Sequence, residues 1–157
     1  MPATEVRVGL ISDTHGVLRP EAVAELVGSD IIIHAGDIGK PEIVRRLAEI
    51  APTFAVRGNI DHGDWVAAFP PTQLVEVGTL RFFVLHDVAQ LDLDPAKAEF
   101  AAVVFGHSHK PAIETRAGLL FFNPGSAGPR RFTLPVTIGR AYVSGLHIRP
   151  EIVHLAV

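Results

Sequence analysis

The chain has no cysteine among its 157 residues. That excludes a disulfide framework, a thiolate zinc site, an iron–sulfur cluster and a cysteine nucleophile, so any metal held here must take nitrogen and oxygen ligands. It also lacks a surplus of basic charge, with 14 Lys and Arg against 17 Asp and Glu and a formal net charge of −3. A standing grip on nucleic acid needs clustered cations that displace counterions from phosphates, so no stable nucleic-acid binding is expected. No apolar run approaches the roughly 20 residues of a membrane span, and residues 1–13 show no basic leader feeding an apolar stretch. A soluble, cytoplasmic protein without membrane association is the expectation. Missing too are repeats, low-complexity tracts and charge blocks that would mark a linker, and residues 1–157 read as a single domain. Its oligomeric state, including a homo-oligomer, is left open by the sequence.

What is present is a 48% hydrophobic fraction against 20% charged, enough apolar surface for a packed core. Residues 5–12 alternate Val6, Val8 and Leu10 and then run into Ser12-Asp13-Thr14-His15-Gly16, as a strand entering a loop does. Residues 20–27 carry Ala22, Val23, Leu26 and Val27 at helical spacing, with Pro20 at the start and Gly28 past the end. The pattern repeats: a strand over 31–33 ending in His34-Ala35-Gly36-Asp37, a helix over 41–50, and a strand over 53–56 ending in Arg57-Gly58-Asn59-Ile60-Asp61. This is a βαβαβ unit, which implies parallel pairing. Beyond Gln73 the rhythm changes to strands at 73–77, 80–85, 102–105, 112–116, 119–122, 140–144 and 147–153, with one helix near 95–100. The second half is expected to contribute a largely antiparallel or mixed sheet.

Eight histidines are more than composition explains. Asp13 and His15, Asp37, Asn59, His86, and His107 with His109 each follow an apolar strand-like run, the end at which α/β sheets place ligands. Taken singly, an Asp after a strand is a turn former or helix cap, and Asn59 after Gly58 is a left-handed turn residue. Seven nitrogen and oxygen donors, all at strand ends and with glycines beside Asp37, Asn59 and His107, are better explained as one metal site.

The ordered set Asp13-Thr14-His15, Gly36-Asp37, Gly58-Asn59, His86 and Gly106-His107-Ser108-His109 resembles the calcineurin-like, binuclear metallophosphoesterase superfamily. His34-Ala35-Gly36-Asp37, the Gly58-Asn59-x-Asp61 form, and Asn123-Pro124-Gly125-Ser126 followed by Pro129-Arg130 resemble its small prokaryotic phosphodiesterase branch. The resemblance implies a metallo-dependent phosphatase-like α/β fold, a four-layer αββα sandwich of two mixed β-sheets flanked by helices. It implies two divalent metal ions, one held by Asp13, His15, Asp37 and His109 and the other by Asp37, Asn59, His86 and His107, with Asp37 bridging. The donor set suits Mn, Fe, Zn or Ni, with Mg the poorer fit.

On that resemblance the protein is a metal-dependent phosphoesterase whose partner is a small phosphorylated substrate. The expected reaction is in-line attack by a hydroxide bridging the two ions. Two divalent ions less Asp13, Asp37 and the hydroxide leave about one positive charge, which a phosphodiester monoanion neutralises, so a phosphodiesterase is favoured. Phosphomonoesterase activity and a non-catalytic scaffold or sensor are the alternatives. Many members of that superfamily carry a histidine directly after the ligand Asn as general acid; this chain has Ile60 there, and His62 is the candidate substitute. Asp87 stands where relatives carry Gly after the residue matching His86. Asn59 and Arg130, the latter with Arg131 beside it, are candidates for substrate contact, and Trp65 is either a base-stacking platform or an anchor for its loop.

Overall fold

The computed structural model describes residues 5–92, 94, 97 and 99–157. Three strands, β1 (Val6–Ile11), β2 (Ile31–His34) and β3 (Thr53–Ala55), run parallel in the order β1-β2-β3, with helices α1 (Pro20–Leu26) and α2 (Pro41–Ala48) as the crossovers. Both helices begin on proline, whose missing N–H costs nothing in a first turn and whose φ is already helical. Ile43 and Leu47 of α2 are buried one turn apart, each worth about 1.5–3 kcal/mol of apolar transfer.

The strands β4 (Thr72–Val77), β5 (Leu80–Leu85), β6 (Ala102–Val104), β7 (Ala112–Arg116) and β8 (Leu119–Asn123) form a second five-stranded sheet in the order β4-β5-β6-β8-β7. Within it β5, β6 and β8 are mutually parallel and both edge strands antiparallel. The last two strands, β9 (Thr137–Ser144) and β10 (His147–His154), do not join this sheet. They return to the first, where β9 pairs antiparallel with β1 and β10 with β9. Alternation identifies a strand but not its neighbour, which is why sequence alone leaves these two in the second half's sheet.

The inner faces of the two sheets share one core: Val8, Leu10 and Ile33 of the first meet Phe82, Val84 and Phe122 of the second. Ala22, Leu26, Ile43 and Leu47 close the outer face of the first sheet. On the outer face of the second, Val103 and Phe121 are covered by Val88, Leu91 and Phe100. The result is an α/β sandwich of two mixed sheets. The helix expected near 95–100 falls largely outside the described residues. The segment read as a loop contains a short 3-10 turn at Asp64–Ala68, in which Trp65 packs edge-on against Phe69 (ring centroids 5.9 Å apart). Trp65 is thus the anchor of its loop. Among the described residues no helix is long and apolar enough to cross a membrane.

Candidate metal centre

Six strands end at one edge of the sandwich: β1, β2 and β3 from one sheet and β5, β6 and β8 from the other. Asp13 and His15 follow β1, Asp37 follows β2, Asn59 follows β3, His86 follows β5, and His107 and His109 follow β6. These loops bring all seven side chains to one place. The donor atoms of Asp13, His15 and His109 lie within 4.8 Å of one another, as do those of Asp13, Asp37 and His86. The two groups share Asp13. Asp37 Oδ2 also lies between them, 3.6 Å from His15 Nε2 and 3.2 Å from His86 Nε2. Asn59 and His107 stand alongside, joined by a 3.1 Å hydrogen bond from His107 Nδ1–H to Asn59 Oδ1, with the His107 ring 5.2 Å from that of His86.

The cluster is short of hydrogen-bond partners where a cation would sit. Asp13 Oδ1, His15 Nε2, His86 Nε2 and His109 Nδ1 are buried and unpartnered, although buried polar atoms are almost always satisfied. One carboxylate oxygen and three imidazole nitrogens without partners, with the Asp37 carboxylate beside them, fit hard-to-borderline divalent ions. The backbone is strained at the same positions: Asp13, His15, Asp37, His107 and His109 all adopt positive φ, between 47° and 73°. For residues with a Cβ this left-handed conformation is sparsely populated and costs about 1–3 kcal/mol, and it concentrates where function demands it.

Surrounding residues fix which atom faces the cluster. The Asp37 carboxylate accepts the Ile60 N–H on Oδ1 (3.1 Å), which turns Oδ2 toward the imidazoles. Burial alone pushes the Asp37 carboxyl up, yet the neighbouring His86, the Ile60 amide and His15 outweigh it and hold the group below the usual carboxylate range. Asp13 takes the Ser12 hydroxyl (2.8 Å) and the His107 amide (3.2 Å) on Oδ2, leaving Oδ1 free. His86 donates Nδ1–H to the Ala35 carbonyl (2.8 Å), so its Nε2 is the inward atom. Burial opposes charge on His86, but Asp37, Asp13 and that carbonyl together raise its pKa. Burial lowers the His109 pKa; nearby Asp13 opposes that, while Arg131 and His15 act with it. Close approach is a property of the glycines: a Cβ on Gly58 would fall 2.1 Å from Asp37 Oδ1, and one on Gly106 would fall 2.6 Å from Asp13 Oδ2.

The remaining expectations fare differently. His62 is exposed and gives its Nδ1–H to the Ile60 carbonyl (2.8 Å), and among the described residues its Nε2 has no hydrogen-bond partner. Arg130 is tied to the Val157 carbonyl (3.1 Å), and it is Arg131 whose charge reaches His109. Asp87 caps the turn at Val88–Gln90 through Ala89 N–H (3.0 Å) and faces His107 Nε2 at 3.9 Å. Three further residues support the site: His34, read from the sequence as a buried hydrogen-bonding residue rather than a ligand, Asp61, read as a charge near the centre, and Asn123, whose contacts the sequence does not give. His34 is fully buried, accepts the Gly36 N–H on Nδ1 (3.1 Å) and donates Nε2–H to Thr14 Oγ1 (3.0 Å). Asp61 accepts the amides of Ile38 (3.0 Å), Gly39 (2.9 Å) and Gly58 (2.9 Å). Asn123 ties the end of β8 to the Gly106 carbonyl (3.1 Å) and to Ser108 (3.2 Å). The available signal was the polar string after each apolar run, which for Asn123-Pro124-Gly125-Ser126 has the same form as at the ligand positions.

A cavity of about 280 Å³ opens beside Asn59, His86 and His107, and Arg57, Thr72, Asp87 and Gln90 also line it.

Residues 6–145, most of the chain, match the calcineurin-like phosphoesterase superfamily domain. The phosphodiesterase YfcE of Escherichia coli is 32% identical over 152 residues, covering 82% of this chain and 83% of its own. Among solved structures, a protein from Streptococcus pneumoniae described as a predicted phosphoesterase superposes with a TM-score of 0.77 at 25% identity, over 96% of this chain and 90% of its own. Vacuolar protein sorting 29 from Cryptosporidium parvum shares the fold at a TM-score of 0.75 and 19% identity, over 98% of this chain and 99% of its own.

Proposed function

The chain belongs to the calcineurin-like phosphoesterase superfamily, and on that premise we propose that it is a phosphodiesterase acting on small phosphodiesters, as one domain over residues 1–157. The observation that carries the reading is the pair of donor groups sharing Asp13, with four buried unpartnered atoms, beside an open cavity. In this proposal Asp13, His15, Asp37 and His109 hold one divalent ion and Asp37, Asn59, His86 and His107 the other. Such ions supply Lewis-acid polarisation of phosphoryl oxygens and acidify water toward a nucleophile near neutral pH.

The chain's own residues prepare the site. Ile60 N–H and Ser12 Oγ–H each occupy one oxygen of a carboxylate, so Asp37 Oδ2 and Asp13 Oδ1 stay aimed at the imidazoles. Ala35 fixes the His86 tautomer. Burial together with the Arg131 charge disfavours protonated His109 and preserves its lone pair. The phosphorus enters on the cavity side, next to Asn59 and His107. His62, whose loop adjoins Asn59 and whose Nε2 has no hydrogen-bond partner among the described residues, is proposed to protonate a departing alkoxide.

The test strips the protein with chelator, restores Mn, Ni, Zn, Fe or Mg, and compares bis(p-nitrophenyl) phosphate with p-nitrophenyl phosphate. Restored turnover favouring the diester, lowered by about 100-fold or more in Asp37→Asn and His107→Ala, is expected. A monoester preference makes the protein a phosphomonoesterase, and metal binding without turnover of either ester makes it a sensor or scaffold. In the same assay His62→Gln should slow an alkyl leaving group while sparing p-nitrophenolate; equal effects on both remove His62 from the chemistry.

A further inference from the structure

The cavity beside Asn59, His86 and His107 contains two charged side chains in unequal circumstances. Asp87 is committed: one oxygen caps a turn through Ala89 N–H and the other faces His107. Arg57 is not. It is half-buried at the end of β3, its backbone N–H bonds the Pro70 carbonyl (3.0 Å), and Nη1 donates to the Phe69 carbonyl (3.1 Å). Those bonds fix the side chain in the cavity wall. Among the described residues no carboxylate lies within 4.0 Å of its guanidinium, and the other N–H groups of its fork have no protein acceptor. A positioned guanidinium with unused donors matches the planar, bidentate geometry of a carboxylate or phosphate. Exposed polar side chains of Thr72 and Gln90 and the apolar surfaces of Pro71 and Leu85 complete the wall, and about 280 Å³ admits a short chain rather than a polymer.

We infer that Arg57 is a specificity-determining residue: the cavity receives one alcohol arm of the phosphodiester, and Arg57 selects arms that carry a second anionic group. This rests on the phosphodiesterase reading for its substrate. With two divalent ions bound, the centre would neutralise only the phosphodiester charge, so a further anion on the arm needs its own cation, and among the described residues Arg57 is the Lys or Arg lining the cavity. Arg57 lies two residues before Asn59, so the same loop that holds a proposed ligand carries the selector.

The experiment uses two p-nitrophenyl phosphodiesters whose second arms are isosteric and end in a carboxylate or a carboxamide. It is run beside calorimetric binding of the corresponding non-hydrolysable phosphonates to the metal-loaded protein. Wild type should favour the carboxylate in kcat/KM and in Kd by about tenfold or more, the usual yield of a charge-assisted hydrogen bond. Arg57→Gln should bring both ratios close to one, while Arg116→Gln, on the far edge strand β7, leaves them unchanged. A wild-type ratio near one, or a preference that survives Arg57→Gln, overturns the assignment. If no metal restores turnover, the phosphodiesterase reading falls, and the phosphonates still decide Arg57. A carboxylate preference lost in Arg57→Gln sustains it, whereas equal or absent binding ends it.

Discussion

His34 shows how a single buried residue ties folding stability to pH. Both ring nitrogens are satisfied in the neutral form, Nδ1 by the Gly36 amide and Nε2–H by Thr14, whose hydroxyl passes its own proton on to the Ile38 carbonyl at 2.8 Å. Burial dominates over the nearby Asp13, Asp61 and Asp37 and lowers its pKa from 6.5 to about 4. The unfolded chain therefore takes up this proton first as pH falls. The stabilisation is complete above about pH 6.5 and is lost progressively between 6.5 and 4, about 3 kcal/mol over the full window. Urea unfolding of chelator-treated protein across that range should show the loss, and His34→Gln should flatten it by a comparable amount. An unchanged slope in the variant places the acid sensitivity elsewhere. The left-handed backbone at Asp13, His15, Asp37, His107 and His109 belongs to the same scale. Each residue accepts local strain to present its side chain, a cost the surrounding fold must offset.

At the scale of elements, the loops after β2 and β3 are locked to each other by one side chain. Asp61 draws Ile38 and Gly39 from one loop and Gly58 from its own onto two carboxylate oxygens, which sets Asp37 opposite Asn59. Asp61→Ala leaves three amides unserved and should cost about 3 kcal/mol in denaturant unfolding, together with weakened metal binding. Asp61→Asn, which keeps one acceptor oxygen, should cost less. Equal stability of Asp61→Ala and wild type would show that the loops hold without this staple. The Asp61 role was only half legible in the sequence: its position two residues after Asn59 is plain, but which amides it collects depends on β2 and β3 lying side by side. Strand boundaries were more readable. The strand at 80–85 matches the reading end for end because Gly78 lies just before its apolar run and His86 directly after it, and the exposed strand at 112–116 because Pro111 precedes it and the left-handed turn Ala117-Gly118 follows, whereas the start of β9 at Thr137 is buried polar backbone that alternation does not mark.

At the scale of the whole molecule, the sandwich serves to bring the ends of two parallel three-strand sets to one edge. Asp13, Asp37 and Asn59 come from one sheet and His86, His107 and His109 from the other. The convergence of the first three could be argued from βαβαβ order alone. The meeting of the two sheets could not, because it depends on the shared core of Leu10, Ile33, Phe82 and Phe122 and on β9 closing against β1. For the same reason the cavity and Arg57 were not legible, since their walls come from β3, β4 and β5 at once.

The most direct test of the proposed centre is the metal content of the protein after equilibration with Mn, Zn or Fe, measured by mass spectrometry beside Asp37→Asn and His107→Ala. Two ions per chain in the wild type, falling below two in both variants, is the predicted result. One ion or none in the wild type, or two retained in both variants, would contradict it.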